Sequence, residues 1–136
     1  MSKKRVVITG MGAITPIGNN LKEYNQSLFN GISGCKPITR FDASKFKTRF
    51  ACELKNYDPL NYFDKKESRK IDAFAQYGLI VAEEALQDSG IDLNKIDKNK
   101  FGVIWGSGVG GIETFQNELI NFSENNKNPR FNPFFI

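Results

Sequence analysis

The sequence has 136 residues, of which 40% are hydrophobic and 25% are charged, and its net charge at pH 7 is +4. This length predicts one domain, and the composition is that of an ordinary folded protein, outside the disordered and membrane classes. The sequence contains no histidine. The commonest general base and the commonest metal ligand are both missing, and we expect no metal site and no cofactor.

The location of the protein is predicted from its apolar runs and its cysteines. The apolar runs are far shorter than the ~20 residues that span a bilayer, and residues 1–10 carry no cleavage-site pattern. Cys35 and Cys52 form no C-x-x-C motif. Without histidine as an activating base, Cys52 is interpreted as an inert thiol, and both thiols are compatible with a reducing compartment. These features predict a cytoplasmic protein.

The first part of the chain predicts a strand, a turn and a helix. Residues 6–8 (VVI) form a short apolar run that is typical of a buried strand, and the glycines and proline that follow predict a turn. Apolar spacing over 21–29 predicts a helix, which Asn19 or Asn20 caps and Gly31 ends.

The middle of the chain predicts a long loop, a short strand and a long helix. Residues 32–46 have an irregular pattern, and residues 50–54 (FACEL) are typical of a short strand. Apolar residues at spacings of three and four predict one helix that begins at Asp64 and ends at Gly90. Asp64 and Glu67 resemble a capping box at its start.

A basic cluster lies in the first turns of this predicted helix, where cations oppose the helix dipole. Its members are Lys65, Lys66, Arg69 and Lys70. A solvated helix face is one interpretation, and a docking surface for an acidic partner is the other. Nucleic acid is not favoured as that partner, because no aromatic stacking stripe or groove-reading motif accompanies the cluster.

Residues 101–111 (FGVIWGSGVGG) predict a strand over 101–105 followed by a glycine turn, and a helical pattern follows. Gly106, Gly108 and Gly111 match G-x-G-x-x-G, the spacing that places a dinucleotide pyrophosphate at a helix N-terminus. That fingerprint also needs a second strand and an acidic residue, whereas a polar loop with two prolines follows here. Tight packing of helix on strand is the alternative interpretation.

Several blocks of the sequence, in their order along the chain, resemble the N-terminal portion of the β-ketoacyl-[acyl-carrier-protein] synthase family, type II. The blocks are RVVITGMGAITPIGN, GISGCKPITRFD, KKESRKIDAFAQYGLIVAEEALQDSGI, FGVIWGSGVGG and NPFFI. The resemblance covers essentially the whole chain. It implies an α/β fold of the thiolase-like type, in which two similar halves pack as α-β-α-β-α layers and the enzyme works as a homodimer.

The resemblance also implies a reaction of fatty acid biosynthesis. It is a decarboxylative Claisen condensation, in which malonyl-carrier protein lengthens an acyl group held on a cysteine. The family uses one nucleophilic cysteine, downstream of the PFF segment, and two histidines, and Cys35 and Cys52 lie in other segments. Residues 1–136 are therefore expected to be an incomplete N-terminal β-ketoacyl synthase domain that is inactive by itself.

The resemblance implies roles for six residues. Val109 and Phe135 match walls of the acyl pocket, where an apolar chain gains about 0.8 kcal/mol for each buried CH₂. The residues that match the family's docking surface for its acidic acyl carrier protein are Lys66, Arg69, Lys70 and Arg130. Ordinary core packing for Val109 and Phe135, and a solvated face for the basic residues, are the alternatives.

Three other functions stay open on the sequence alone. A polyketide-type ketosynthase or a type I synthase shares these motifs and differs mainly in pocket size. A non-catalytic module that binds carrier protein would use the basic residues alone. A dinucleotide-binding domain would use the glycine spacing.

Overall fold

A computed structural model describes residues 3–134, which form two compact units. The first unit comprises residues 3–57 and 80–96, and the second comprises 58–79 and 97–134. The helices are α1 (Leu21–Phe29), α2 (Lys65–Ser68), α3 (Ala73–Ser89) and α4 (Ile112–Glu124), and single 3₁₀ turns cover Pro59–Asn61 and Lys98–Lys100. Two short strands, β1 (Lys36–Pro37) and β2 (Phe50–Ala51), pair antiparallel. No helix within residues 3–134 combines the length and the apolar content that a membrane crossing needs.

The predicted first helix is confirmed, and its two ends are set by local contacts. The Asn20 side chain caps α1 by accepting a hydrogen bond from the Glu23 backbone N–H at 2.8 Å. The Glu23 carboxylate in turn accepts from the Asn19 N–H at 2.9 Å, so it satisfies the backbone donor of the residue that precedes the cap. Gly31 follows the helix with φ of +63°, a left-handed conformation that glycine adopts without strain.

In the first unit, the turn near the N-terminus packs against the second half of α3. A Cβ on Gly10 would lie 2.2 Å from the carbonyl oxygen of Ala85, and one on Gly12 would lie 2.1 Å from that of Val81. Both distances are far inside van der Waals contact. Only glycine at these two positions allows the turn to approach the helix backbone this closely.

Two carboxylates of α3 fix the same turn by accepting hydrogen bonds from its backbone. Glu84 accepts through Oε2 from the Ala13 N–H and through Oε1 from the Leu21 N–H, both at 2.8 Å. Glu84 thereby joins the turn to the start of α1. Asp88 accepts from the Met11 N–H at 2.9 Å.

The predicted strand 50–54 is shorter in the structure and has a partner inside the predicted loop 32–46. Lys36 lies opposite Ala51, and Pro37 lies opposite Phe50. The Ile38 N–H donates to the Arg49 carbonyl at 3.1 Å and extends the pairing by one residue. These residues form a two-stranded ribbon. The sequence did not predict the pairing, because the pattern of the segment that contains β1 is irregular.

The predicted helix 64–90 is two helices, because the chain breaks between Ser68 and Ala73. Asp64 caps α2, as predicted, because its side chain accepts hydrogen bonds from the N–H groups of Lys66 and Glu67. The break is stabilised by Gln76, whose buried side-chain amide donates to the carbonyls of Ser68 (2.9 Å) and Ile71 (2.8 Å). These two carbonyls belong to the last residue of α2 and to the interruption, and the amide supplies the donor that a continuous helix would have given.

The predicted strands at 6–8 and 101–105 are not strands within the described residues. A strand is defined by hydrogen bonds to a neighbour, and the described residues provide no neighbour for either run. Their side chains lie largely in the open: Val6 is 94% exposed and Val103 is 79% exposed. The residue types of a buried strand are present, whereas the structure that would bury them is not among residues 3–134.

Candidate functional site

The glycine turn between Trp105 and α4 lies in the second unit and is held against α3 at both of its ends. At one end, a Cβ on Gly78 would lie 2.7 Å from an atom of the Trp105 indole. At the other end, a Cβ on Gly110 would lie 2.9 Å from the Phe74 ring. Because glycine has no side chain, the Trp105 ring can lie directly on the backbone of Gly78, and the Phe74 ring on that of Gly110.

Between these two contacts, the turn is open. A Cβ on Gly106 or Gly108 would meet no atom of residues 3–134 within 4 Å, and the Val109 side chain is 66% exposed. Val109 is therefore open to solvent among the described residues, and its role as a wall of the acyl pocket stays a prediction. The second residue that resembles an acyl-pocket wall, Phe135, lies outside the described residues.

Three of the four predicted docking residues lie together. Lys66, Arg69 and Lys70 line one open depression of about 740 Å³, together with Lys65, Asn132 and Phe134. The Lys70 ammonium lies 5.3 Å from the centre of the Phe134 ring, a distance at which a cation is attracted to the ring face. We call these six residues the basic depression. It combines positive charge at its edge with an exposed aromatic ring.

Arg130 does not line the basic depression. It lines a second depression of about 380 Å³, whose other lining residues are Asn121, Glu124, Asn125, Asn126 and Asn128. Phe134 and Asn132, by contrast, are members of the basic depression that the sequence did not indicate. They lie more than sixty positions after the lysines, and no local pattern connects the two segments.

The predicted conflict between the basic residues and the dipole of one long helix arises only for Lys65 and Lys66, the first two residues of α2. Lys65 and Lys66 lie in α2, which is only four residues long, and Arg69 follows its last residue as the C-cap. Lys70 lies in the break before α3. Cations are favoured near a helix C-terminus, so Arg69 is accommodated without the cost that a single long helix would have imposed.

The dinucleotide interpretation of the glycine turn gains no support from the structure. Gly111, with φ of +69°, is the N-cap of α4, but no strand follows α4 within residues 3–134. The second strand and its acidic residue, which the fingerprint requires, are therefore not found in the described part of the chain.

Both cysteines are free and exposed in the first unit, whereas the glycine turn belongs to the second.

Comparison with known sequences identifies the family. The model of the β-ketoacyl synthase N-terminal domain matches residues 3–136. The chain is 43% identical over 134 residues to 3-oxoacyl-[acyl-carrier-protein] synthase 2 of Staphylococcus aureus (strain COL), and the match covers 98% of this chain and 32% of that protein. It is 44% identical over 140 residues to the synthase 2 of Coxiella burnetii, covering 100% and 33%. The chain thus spans about one third of the length of these relatives.

Solved structures give the same result for the fold. The ishigamide ketosynthase/chain length factor matches with a TM-score of 0.76 at 27% identity, covering 98% of this chain and 33% of that one. A type II polyketide acyl-carrier protein in complex with its ketosynthase matches with a TM-score of 0.74 at 27% identity, covering 98% and 35%. The expected fold class, part of the N-terminal half of a thiolase-like α/β fold, is confirmed. The chain belongs to the β-ketoacyl synthase family, through the N-terminal domain of that family.

Proposed function

We propose that these residues are the N-terminal part of a 3-oxoacyl-[acyl-carrier-protein] synthase of type 2, an acyltransferase of fatty acid biosynthesis. The complete enzyme would condense malonyl-carrier protein with an acyl group that it holds on a cysteine, with loss of carbon dioxide. It would work as a homodimer in the cytoplasm. The observation that carries this proposal is the 43% identity to a synthase 2 over 98% of the chain.

The experiment that tests the proposal uses the complete protein. Purified enzyme is supplied with an acyl-carrier protein and malonyl-carrier protein, and the products are separated and identified by mass. We expect a 3-oxoacyl-carrier protein two carbons longer than the primer, together with one carbon dioxide for each condensation. A folded, dimeric protein that yields no such product, beside an active synthase of the same family, would refute the proposal.

Residues 1–136 are proposed to be an incomplete domain without the catalytic groups. The chemistry needs a thiolate nucleophile and groups that favour the enolate during decarboxylation, and the family resemblance assigns these roles to a cysteine and two histidines. The printed sequence contains no histidine, and Cys35 and Cys52 are outside the glycine-turn unit. The isolated chain should therefore form no condensation product under conditions in which the complete enzyme does.

The basic depression is proposed to dock the acidic acyl carrier protein. Charged residues at the edge of an interface accelerate association and make it dependent on salt. Lys66, Arg69 and Lys70 supply the charge, and the exposed Phe134 ring supplies an apolar contact beside it. A related ketosynthase has been solved in complex with its acyl-carrier protein, which supports the same class of partner for this chain.

Charge reversal tests this docking role. Arg69→Glu with Lys70→Glu should raise the KM for acyl-carrier protein and flatten its dependence on salt, while kcat at saturation changes little. Lys22→Glu, on an exposed position of α1, is the matched control and should leave that KM unchanged. An equal response of both variants would show that net charge, not this surface, matters. Arg130→Glu reports separately on the second depression.

A polyketide-type ketosynthase is the second candidate, because one of the two matching solved structures described above is of that type. The sequence identity to those structures is 27%, compared with 43% to the S. aureus synthase 2. The acyl-chain products distinguish the two. Repeated extension without reduction of the 3-oxo group would support the polyketide type, whereas one extension per primer supports the synthase of fatty acid biosynthesis.

A further inference from the structure

Asp72 occupies the break between α2 and α3 and holds the start of α3. Its carboxylate Oδ1 accepts from the Phe74 N–H at 3.4 Å. Its backbone carbonyl accepts from the N–H groups of Ala75 and Gln76, both at 3.0 Å. Asp72 therefore closes the first turn of the helix against which the glycine turn is packed.

The other carboxylate oxygen of Asp72 reaches a different helix. Oδ2 accepts a short hydrogen bond from the hydroxyl of Thr114, which lies in the first turn of α4. Both side chains are half-buried. The N-cap of α4 is Gly111, which has no side chain with which to cap the helix. The Asp72–Thr114 hydrogen bond thus fixes the start of α4 to the start of α3.

The glycine turn lies directly before this connection. Gly110 contacts the ring of Phe74, which is the residue whose N–H Asp72 accepts. A Cβ on Gly111 would lie 3.7 Å from Asp72 Oδ2, so the carboxylate also borders the end of the turn. Val109 directly precedes Gly110 in the sequence. The Asp72 carboxylate therefore borders the end of the segment that carries Val109.

We propose that Asp72 is a positioning residue for acyl-chain selection, acting through Thr114 on the turn that carries Val109. The proposal rests on the proposed function and on the family resemblance, which matches Val109 to a wall of the acyl pocket. When the hydrogen bond is present, the start of α4 and the end of the glycine turn keep one fixed position against α3. When it is removed, the end of the glycine turn is held less firmly against α3. The wall that Val109 forms against the acyl chain then becomes mobile.

The test is the chain-length profile of the complete enzyme with acyl-carrier proteins of increasing length. Thr114→Val removes the hydroxyl and keeps the shape of the side chain. Thr114→Ser keeps the hydroxyl, and Asp72→Asn weakens the acceptor. We expect the ratio of kcat/KM between long and short substrates to change by about tenfold in Thr114→Val and Asp72→Asn, the scale of a displacement smaller than 1 Å at a binding site. Thr114→Ser should retain the wild-type ratio. The double variant should change it no further than either single variant.

One control variant and the pattern of outcomes separate the possible explanations. Asp92→Asn removes a charge from an exposed turn of the first unit, where Asp92 accepts from Asn94, and should leave the ratio unchanged. A purely structural role for Asp72 would lower the amount of active enzyme equally for all substrates. An unchanged ratio in active Thr114→Val and Asp72→Asn enzymes would therefore overturn the inference. A wild-type enzyme without condensation activity would instead refute the proposed function.

Discussion

The indole of Trp105 occupies the space that a side chain at position 78 would fill. In most helix interiors, replacing glycine by alanine raises the free energy of unfolding by about 1 kcal/mol. Gly78→Ala should do the opposite in the complete protein and lower it by about 1–3 kcal/mol, because the methyl group overpacks against the ring. Urea denaturation measures the change. In a Trp105→Leu background the penalty should disappear, and a stabilised Gly78→Ala protein with Trp105 intact would contradict the packing described.

Gly12→Ala should be more damaging than Gly78→Ala. The added Cβ would lie 2.1 Å from a carbonyl oxygen of the α3 backbone, which cannot rotate away as a side chain can. We expect a loss of about 3 kcal/mol or more in the free energy of unfolding. Gly102→Ala is the matched control, since no described atom lies within 4 Å of its Cβ position, and its effect should stay within about 0.5 kcal/mol. Equal effects at both positions would count against the close approach.

Glu84 and Glu83 are adjacent residues of α3 with different partners. Glu84 accepts from two backbone N–H groups of the first unit, whereas Glu83 accepts from the exposed Gln87 side chain. Glu84→Gln should lower the free energy of unfolding by about 1.5–3 kcal/mol, the scale of hydrogen bonds to a charged group. Glu83→Gln should change it by less than about 0.5 kcal/mol. A denaturant series on the two variants gives the comparison directly.

Glu53 should titrate below the ordinary range of a glutamate side chain. The Thr39 hydroxyl, which donates to its carboxylate at 2.7 Å, is the main cause of the lowered pKa. A lowered folded-state pKa means that the ionised form is favoured by folding. The resulting stabilisation is complete above the unfolded pKa of about 4.3 and is lost as the pH falls through the folded-state pKa.

Carboxyl-carbon NMR against pH measures this pKa. Thr39→Val removes the hydroxyl and should shift the midpoint of Glu53 upward, towards the ordinary value. Asp92, whose pKa is lowered mainly by the Asn94 backbone N–H, is an internal reference and should not move. A Glu53 midpoint that is unaffected by the substitution would show that the Thr39 hydroxyl is not the cause.

Val109→Phe should shorten the acyl chains that the complete enzyme accepts. The larger ring takes up space next to the open part of the glycine turn, and each CH₂ that is no longer buried costs the substrate about 0.8 kcal/mol. The measurement is kcat/KM for primers of increasing length. Val109→Ala should extend the profile or leave it unchanged. An identical profile in Val109→Phe would mean that Val109 has only a packing role.

The sequence predicted those parts of the fold whose causes are local. Both ends of α1 could be predicted because Asn20 and Gly31 carry its end signals, and the start of α4 because an amphipathic pattern follows Gly111. The break before α3 was missed because apolar spacing runs through it without interruption. Its cause is the Gln76 amide, which turns back to carbonyls five and eight residues earlier.

The grouping of the candidate residues in space was predicted in part, for the same physical reason. Lys66, Arg69 and Lys70 are close in sequence and therefore close in space. Arg130 and Phe134 are close to each other in sequence, yet they line different depressions, because their positions depend on how the chain after α4 folds. Trp105 and Gly78 are 27 positions apart, and no periodicity connects an indole to the glycine that accommodates it.

The ribbon formed by β1 and β2 contains a proline at an informative position. Because Ile38 donates to Arg49, its neighbour Pro37 occupies a non-hydrogen-bonded position, where the backbone nitrogen points away from Phe50. That nitrogen faces the outer edge of β1 and carries no hydrogen. Another strand that approached this edge would find a gap in its row of donors. Pro37 therefore costs the ribbon no internal hydrogen bond, while it protects an open edge from unwanted pairing with other chains.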